Sequence, residues 1–250
     1  MKEAGGSARR WTAFGLAGYI AVFNASGCAS SNRCQNLFPL KQGLVEQRLD
    51  VLEHMKKSNV RIVGEGIDGR HTGAGTIIGT KLNGNVTRTQ ILTAWHLVKG
   101  MTTLKVRNEE KEADVVKVNY APGPIDLAIV EVTGNFGLAV ELGKERTWLG
   151  MDVAVIGSPL GCDDAITTGQ ITGGFHVTGY ISGSQSVDIE VLSTSATVNP
   201  GSSGGGIFDL RTGMLLGVIV QRSEGQGYAI SSLVLEDLPL KDWPEMNLGK

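Results

Sequence analysis

Residues 199–206 read NPGSSGGG, with Ser202 and Ser203 side by side between glycines. A serine hydroxyl is a weak nucleophile. It needs a base within hydrogen-bond reach, and the base usually needs an acid to orient it. The chain has 4 histidines. His54 lies in a helical stretch among charged neighbours and reads as a solvated surface residue. His71 falls in the Gly-rich stretch GIDGRHTGAG, read as a loop, and His176 in a probable strand, GGFHV. Only His96 ends a strongly apolar strand, ILTAWHLV, where a rigid strand end can open onto a cleft. Gly201–Gly205 also fits G-x-S-x-G, which in a strand-turn-helix elbow requires the acid and then the histidine to follow the serine. His176 is the last histidine, so that reading fails. The order His, Asp, Ser stays open, and the residues alone do not choose between the two serines.

The elements that must position these groups are short strands. With 250 residues, 41% of them hydrophobic, the chain can bury a sizeable core. Its 35 glycines fall in no repeat, so they read as tight turns. Strand-like runs are Gly75–Thr80, Thr89–Thr93, Thr103–Val106, Ala113–Val118 and Leu127–Val132. After a polar break at Glu141–Thr147 come Asp152–Ile156, Ala165–Ile171, Val187–Leu192, Met214–Val220 and Tyr228–Ser231. Two such series predict an all-β fold of two antiparallel barrels, and nothing alternates strand with helix as a parallel sheet would. Ahead of them, Leu44–Lys57 spaces Val45, Leu49, Leu52 and Met55 as one short packed helix, with residues 28–43 as a tether.

The N-terminus reads as an export signal. Lys2, Arg9 and Arg10 precede the uncharged run Trp11–Phe23, too short to span a bilayer comfortably, and small residues with Cys28 follow. The net charge of −2 and the lack of a Lys/Arg cluster exclude a general nucleic-acid binder. No two His or Cys residues fall at zinc-ligand spacing, and no cofactor is implied. Cys34 and Cys162 are left either as a pair in an oxidising compartment or as two free thiols.

Five segments carry a family resemblance. ILTAWHLV resembles the T-A-x-H segment of trypsin-like serine proteases, and PIDLAIVEV, with Asp126, resembles their D-L-A-hydrophobic segment. NPGSSGGG resembles N-P-G-N-S-G-G-P. IGSPLG with ITTGQITG, and GQGYAIS, resemble the second-barrel entry and closing strand of the HtrA/Deg-type members. The match runs over about residues 60–235. The resemblance implies a chymotrypsin-like fold of two six-stranded barrels and a serine endopeptidase with the triad His96, Asp126 and Ser203. The spacings, 126 − 96 = 30 and 203 − 126 = 77, suit a cleft between barrels. It makes Ser203, directly before Gly204-Gly205, the nucleophile, and the N–H groups of Gly201 and Ser203 the oxyanion donors. Ser202 then stands where zymogen-activated members have an Asp that pairs with a newly cut N-terminus, so activation by that route is not expected.

The resemblance places an acid six residues before the serine in members that cleave after Lys or Arg; here that position is Thr197, so such cleavage is not expected. Val198, Val218, Ile219 and Val220 are expected to line the substrate pocket, favouring small or medium aliphatic side chains and pairing with the substrate backbone. Substrates would be polypeptides. About 20 residues follow the last strand, too few for the PDZ domain most HtrA-type proteins carry, which leaves oligomeric state open. ASGC at residues 25–28 resembles a bacterial lipobox, implying lipidation of Cys28 and membrane or periplasmic placement in the cell envelope. The expected layout is signal 1–27, tether and helix 28–58, protease domain 59–238 (barrels 59–142 and 147–238) and tail 239–250. The competing class is a catalytically silent protease fold that serves as a binding or scaffold protein.

Overall fold

A computed structural model describes residues 37–159, 164–182, 185–223 and 225–248. Proximity along the backbone divides the chain into Met1–Leu44 and Val45–Lys250. Of the first unit only 37–44 is described, as the start of helix α1, Leu37–Ser58. The helix begins seven residues before the expected start. Pro39 does not prevent this, because an N–H in the first turn has no intrahelical partner to lose. The buried stripe also differs. Met55 is fully buried, Val51 and Leu52 pack beside it, and Leu49 is exposed. The signal, residues 28–36 of the expected tether and all three cysteines lie outside the described residues, and the rest of the tether, 37–43, is helical.

The second unit holds two six-stranded closed antiparallel barrels. The first comprises β1 (Asn59–Gly66), β2 (Gly69–Asn83), β3 (Val86–Thr93), β4 (Met101–Arg107), β5 (Glu112–Tyr120) and β6 (Ala128–Thr133), ordered β1-β2-β3-β6-β5-β4 and closed by β4 on β1. The second comprises β7 (Asp152–Gly157), β8 (Ala165–Ser182), β9 (Gln185–Thr194), β10 (Gly206–Asp209), β11 (Leu215–Ser223) and β12 (Gln226–Ser231), ordered β10-β11-β12-β9-β8-β7 and closed by β7 on β10. His71 therefore sits in β2, paired with Gly64, and not in a loop. Apolar residues two apart supply the inward faces, as with Leu104 and Val106 along β4.

Each barrel has its own core, around Ile62, Ile91 and Val130 in the first and Val153, Leu192 and Ile219 in the second. A third cluster joins Leu92, Ile125 and Leu127 to Ala154, Ile156 and Phe208, and so glues the barrels together. Met55 of α1 and Val234 and Leu235 of α3 (Val234–Asp237) belong to it. So does Trp243, whose indole N–H donates to the Leu238 carbonyl. Residues 239–248 are thus part of the body rather than a tail. Tyr120 N–H donates to Pro244 O and Met246 N–H to Val118 O, fastening the segment to β5. A lone Trp in a polar stretch has no period that would announce this. Among the described residues no helix is long and apolar enough to cross a membrane.

Candidate active site

β3 ends at Thr93, one residue of extended backbone follows, and Trp95–Val98 forms the single turn α2. His96 is therefore on a short helix just past the strand, not at the strand end itself. Leu97 and Val98 are buried and fix the turn, which leaves the His96 ring toward solvent. Asp126 lies just before β6 between Ile125 and Leu127, both buried. These two anchors aim its carboxylate at α2. The His96 backbone N–H donates to Asp126 Oδ1 at 2.7 Å, and Nδ1 of the ring lies 2.6 Å from Oδ2. Trp95 N–H donates to the Asp126 carbonyl at 3.3 Å. With one carboxylate oxygen held by the backbone and the other on the ring, the proton belongs on Nδ1. Nε2 is then left with a free lone pair, the arrangement a general base requires.

The glycine-rich segment is a tight turn locked to both barrels. Ser202 N–H donates to Asn199 O at 2.9 Å, Gly205 N–H to Ser202 O at 2.9 Å, and Gly204 N–H to Ile219 O at 2.7 Å. The turn separates the two serines. Ser202 is only 4% exposed, and its hydroxyl accepts the Asn199 N–H. Ser203 is half-buried, and its carbonyl accepts the N–H of Ala74 on β2 at 2.8 Å. Gly204 is wedged so closely that a Cβ there would strike Ala74 O, Thr93 Oγ1 and Leu97 Cδ1. Thr93 and Leu97 flank His96, so the serine turn packs against the segment that carries it. Among the described residues no hydrogen bond joins Ser203 Oγ to His96 Nε2. Such bonds often tighten only around substrate. Gly201 has φ +98, a backbone region that favours glycine. Among the described residues no acceptor takes the N–H of Gly201 or Ser203.

The expected pocket residues divide. Val198, Val218 and Ile219 are core residues at most 6% exposed, and none of the three borders the depression beside Asp126. The Ile219 backbone is also occupied, by Gly204 and Gly205. Val220 alone is available. It is the extra residue of a β-bulge between the pairs Ile219↔Ala229 and Gln221↔Tyr228, and a bulge re-aims the side chain outward. It borders a depression of about 450 Å³ with Ile125, Phe175, Val177, Ile189 and Tyr228. Phe175 and Val177 are two apart on β8, both exposed, and Phe175 meets Tyr228 edge-to-face at 6.3 Å. Sequence reasoning did not assign these to the cleft, although their period of two in GGFHV marks one face of a strand. His176 on the opposite face is paired with Asp188 at 2.8 Å and is half-exposed, away from the serine turn. His54 is exposed on α1. Among the described residues no group of three or more His, Cys, Asp or Glu is placed to hold a metal ion.

Comparison with known proteins agrees with the fold. A family model described as trypsin-like peptidase domain matches residues 73–218, more than half the chain and including all three proposed triad positions. The chain is 31% identical over 145 residues to the putative serine protease HhoB of Synechocystis sp., covering 56% of this chain and 34% of that protein. It is 30% identical over 175 residues to the serine protease Do-like HtrA of Bacillus subtilis, covering 64% and 37%. The chain thus spans about a third of the length of these relatives. The Rv3671c protease of M. tuberculosis, in its active form, shares the fold, with a TM-score of 0.65 and 22% identity over 80% of this chain and 87% of that one. Two closed barrels, an interlocked His-Asp pair, a serine turn between them and the family match lead to one assignment: the chain belongs to the trypsin-like peptidase domain family.

Proposed function

We propose that the protein is a serine endopeptidase acting on polypeptides. The observation that carries this is the two-point grip of Asp126 on His96, at 2.7 and 2.6 Å, beside the turn that holds Ser203. Ser203 Oγ attacks the peptide carbonyl while His96 Nε2 takes its proton, and His96 returns that proton to the leaving amine. Asp126 holds the imidazole in the required tautomer and stabilises its cation. The N–H groups of Gly201 and Ser203, without acceptors among the described residues, receive the oxyanion. The stronger hydrogen bonds these make in the transition state are where most of the acceleration arises. Water then repeats the attack on the acyl-enzyme.

Substrate would lie as an added strand along β11 beyond Ile219, where the sheet edge has no partner among the described residues. The depression at Val220, Phe175 and Tyr228 is mostly apolar and favours aliphatic side chains. Export to the cell envelope and lipidation of Cys28 are proposed from the basic start, the short apolar run and ASGC.

A fluorophosphonate probe tests the enzyme reading on the whole chain. Removing residues before 59 would also remove Met55 from the core, so a fragment is unsuitable. The protein should label, Ser203→Ala should not, and Ser202→Ala should still label. An unlabelled wild-type chain that folds and also leaves unfolded casein intact would favour the silent binding protein. Cys28→Ala should release the protein from membranes, and unchanged retention would refute lipidation.

A further inference from the structure

We propose that Asn59 is a positioning residue for the oxyanion turn, acting from the first barrel through Asp164; this rests on Gly201 being an oxyanion donor. Asn59 opens β1 and is only 4% exposed. Its Nδ2 donates to Asp164 Oδ1 at 2.6 Å, a bond between residues 105 apart. Its own Oδ1 is buried without a hydrogen-bond partner among the described residues. Burying an amide with one end unsatisfied is unfavourable, and an aliphatic residue would suit the site better for packing alone. The amide is therefore there for the bond it makes.

Asp164 is the only non-glycine residue with positive φ among the described residues, at 58°. A side-chain-bearing residue enters that region at a cost, and the surroundings must hold it there. It stands immediately before β8, whose first pairs are Ala165↔Gly157 and Ile166↔Ile156. The end of β7 is the floor of the serine turn. A Cβ on Gly157 would lie 2.8 Å from Ser202 Cα. The next residue, Ser158, donates its N–H to the Gly201 carbonyl at 3.3 Å, and its own carbonyl oxygen lies 2.7 Å from where a Gly201 Cβ would be. The contacts run in one line: Asn59 holds Asp164, Asp164 sets the start of β8, β8 holds Gly157, and Gly157 and Ser158 set the peptides of Gly201 and Ser202. A bond between the barrels thereby fixes the direction of the oxyanion donors.

Misplacing a reacting group by about 1 Å can cost roughly a hundredfold in rate, so a loosened floor should be visible in kcat. The test uses the full chain with Asn59→Leu, Asp164→Gly and Asp164→Asn. Fluorophosphonate titration counts active sites. For each variant kcat and KM on a peptide amide are measured, together with inhibition by a peptide aldehyde, whose hemiacetal oxyanion needs the same donors. Asn59→Leu and Asp164→Gly should each lower kcat per titrated site about tenfold and weaken the aldehyde by a similar factor, with KM within about twofold. Asp164→Asn keeps a side-chain oxygen and tolerates the backbone angle, so it should retain both. Wild-type kcat and aldehyde affinity per site in Asn59→Leu, or a loss seen only as fewer titratable sites, overturns the proposal. Full activity in Gly201→Ala would instead overturn the oxyanion assignment beneath it.

Discussion

Gly201→Ala is the most demanding substitution for the catalytic reading. At φ +98 an alanine carries left-handed strain of about 1–2 kcal/mol. Its Cβ would also stand 2.7 Å from Ser158 O and 3.0 Å from Pro159 Cα, both backbone atoms that cannot swing aside as a side-chain tip can. The turn must relieve this by rotating the Pro200–Gly201 peptide, which withdraws one oxyanion donor. Loss of one donor is worth about 10²–10³ in kcat, or roughly 3–4 kcal/mol. The assay is hydrolysis of a peptide amide per fluorophosphonate-titrated site, with the unfolding midpoint measured alongside. Gly84→Ala is the control. It has φ +62 in the β2–β3 turn with nothing within 4 Å of a Cβ, so it carries the backbone strain without the clash or the cleft. Gly201→Ala should lose about a hundredfold in kcat with KM within about twofold, and Gly84→Ala should lose only about 1 kcal/mol of stability. If Gly201→Ala keeps kcat within threefold (on the order of 1 kcal/mol or less), the reasoning about this peptide is refuted.

Other outcomes follow from the same geometry. Asp126→Asn places an amide N–H₂ against Nδ1 and stabilises the wrong tautomer, so kcat should fall by about 10³–10⁴ while circular dichroism stays unchanged; a loss below tenfold would remove Asp126 from the mechanism. Phe175→Asp, at a half-exposed site, should raise KM for peptides with aliphatic side chains about tenfold, by roughly 1.4 kcal/mol of lost apolar contact, without moving the unfolding midpoint. Met55→Ala should cost about 2–5 kcal/mol of stability, measured by denaturant unfolding, because the side chain is fully buried where α1 meets the inter-barrel core. Trp243→Ala should cost about 3–5 kcal/mol and increase hydrogen exchange at Tyr120 and Met246, whose amides bond across the β5 contact.

Much of this was written locally. Asp126 and Ser203 each sit in a short apolar or glycine-rich context, and the order of His96, Asp126 and Ser203 excludes the elbow arrangement without any coordinates, but the strand end expected at His96 is the helical turn α2. Strands were readable where β-branched residues alternate, as in β3, β6 and β11. β10 was missed because it is four residues long, opens on Gly206 and ends in the turn capped by Asp209, too short to show a period. Leu49 matched the helical spacing yet is exposed, since the pattern names a face but not what meets it.

Candidate reactive groups, their chain order and the alternation that forms two barrels are legible in the sequence, because side-chain chemistry and a period of two are properties of a few neighbouring residues. Only the tertiary structure decided which of the two serines is turned inward, and that Val198, Val218 and Ile219 belong to the core while Val220 faces the cleft. It alone brought Trp243 back to the first barrel and Asn59 to Asp164. Those outcomes depend on barrel closure and on how one barrel packs against the other. Partners more than a hundred residues apart are chosen by that packing, and no local pattern encodes it.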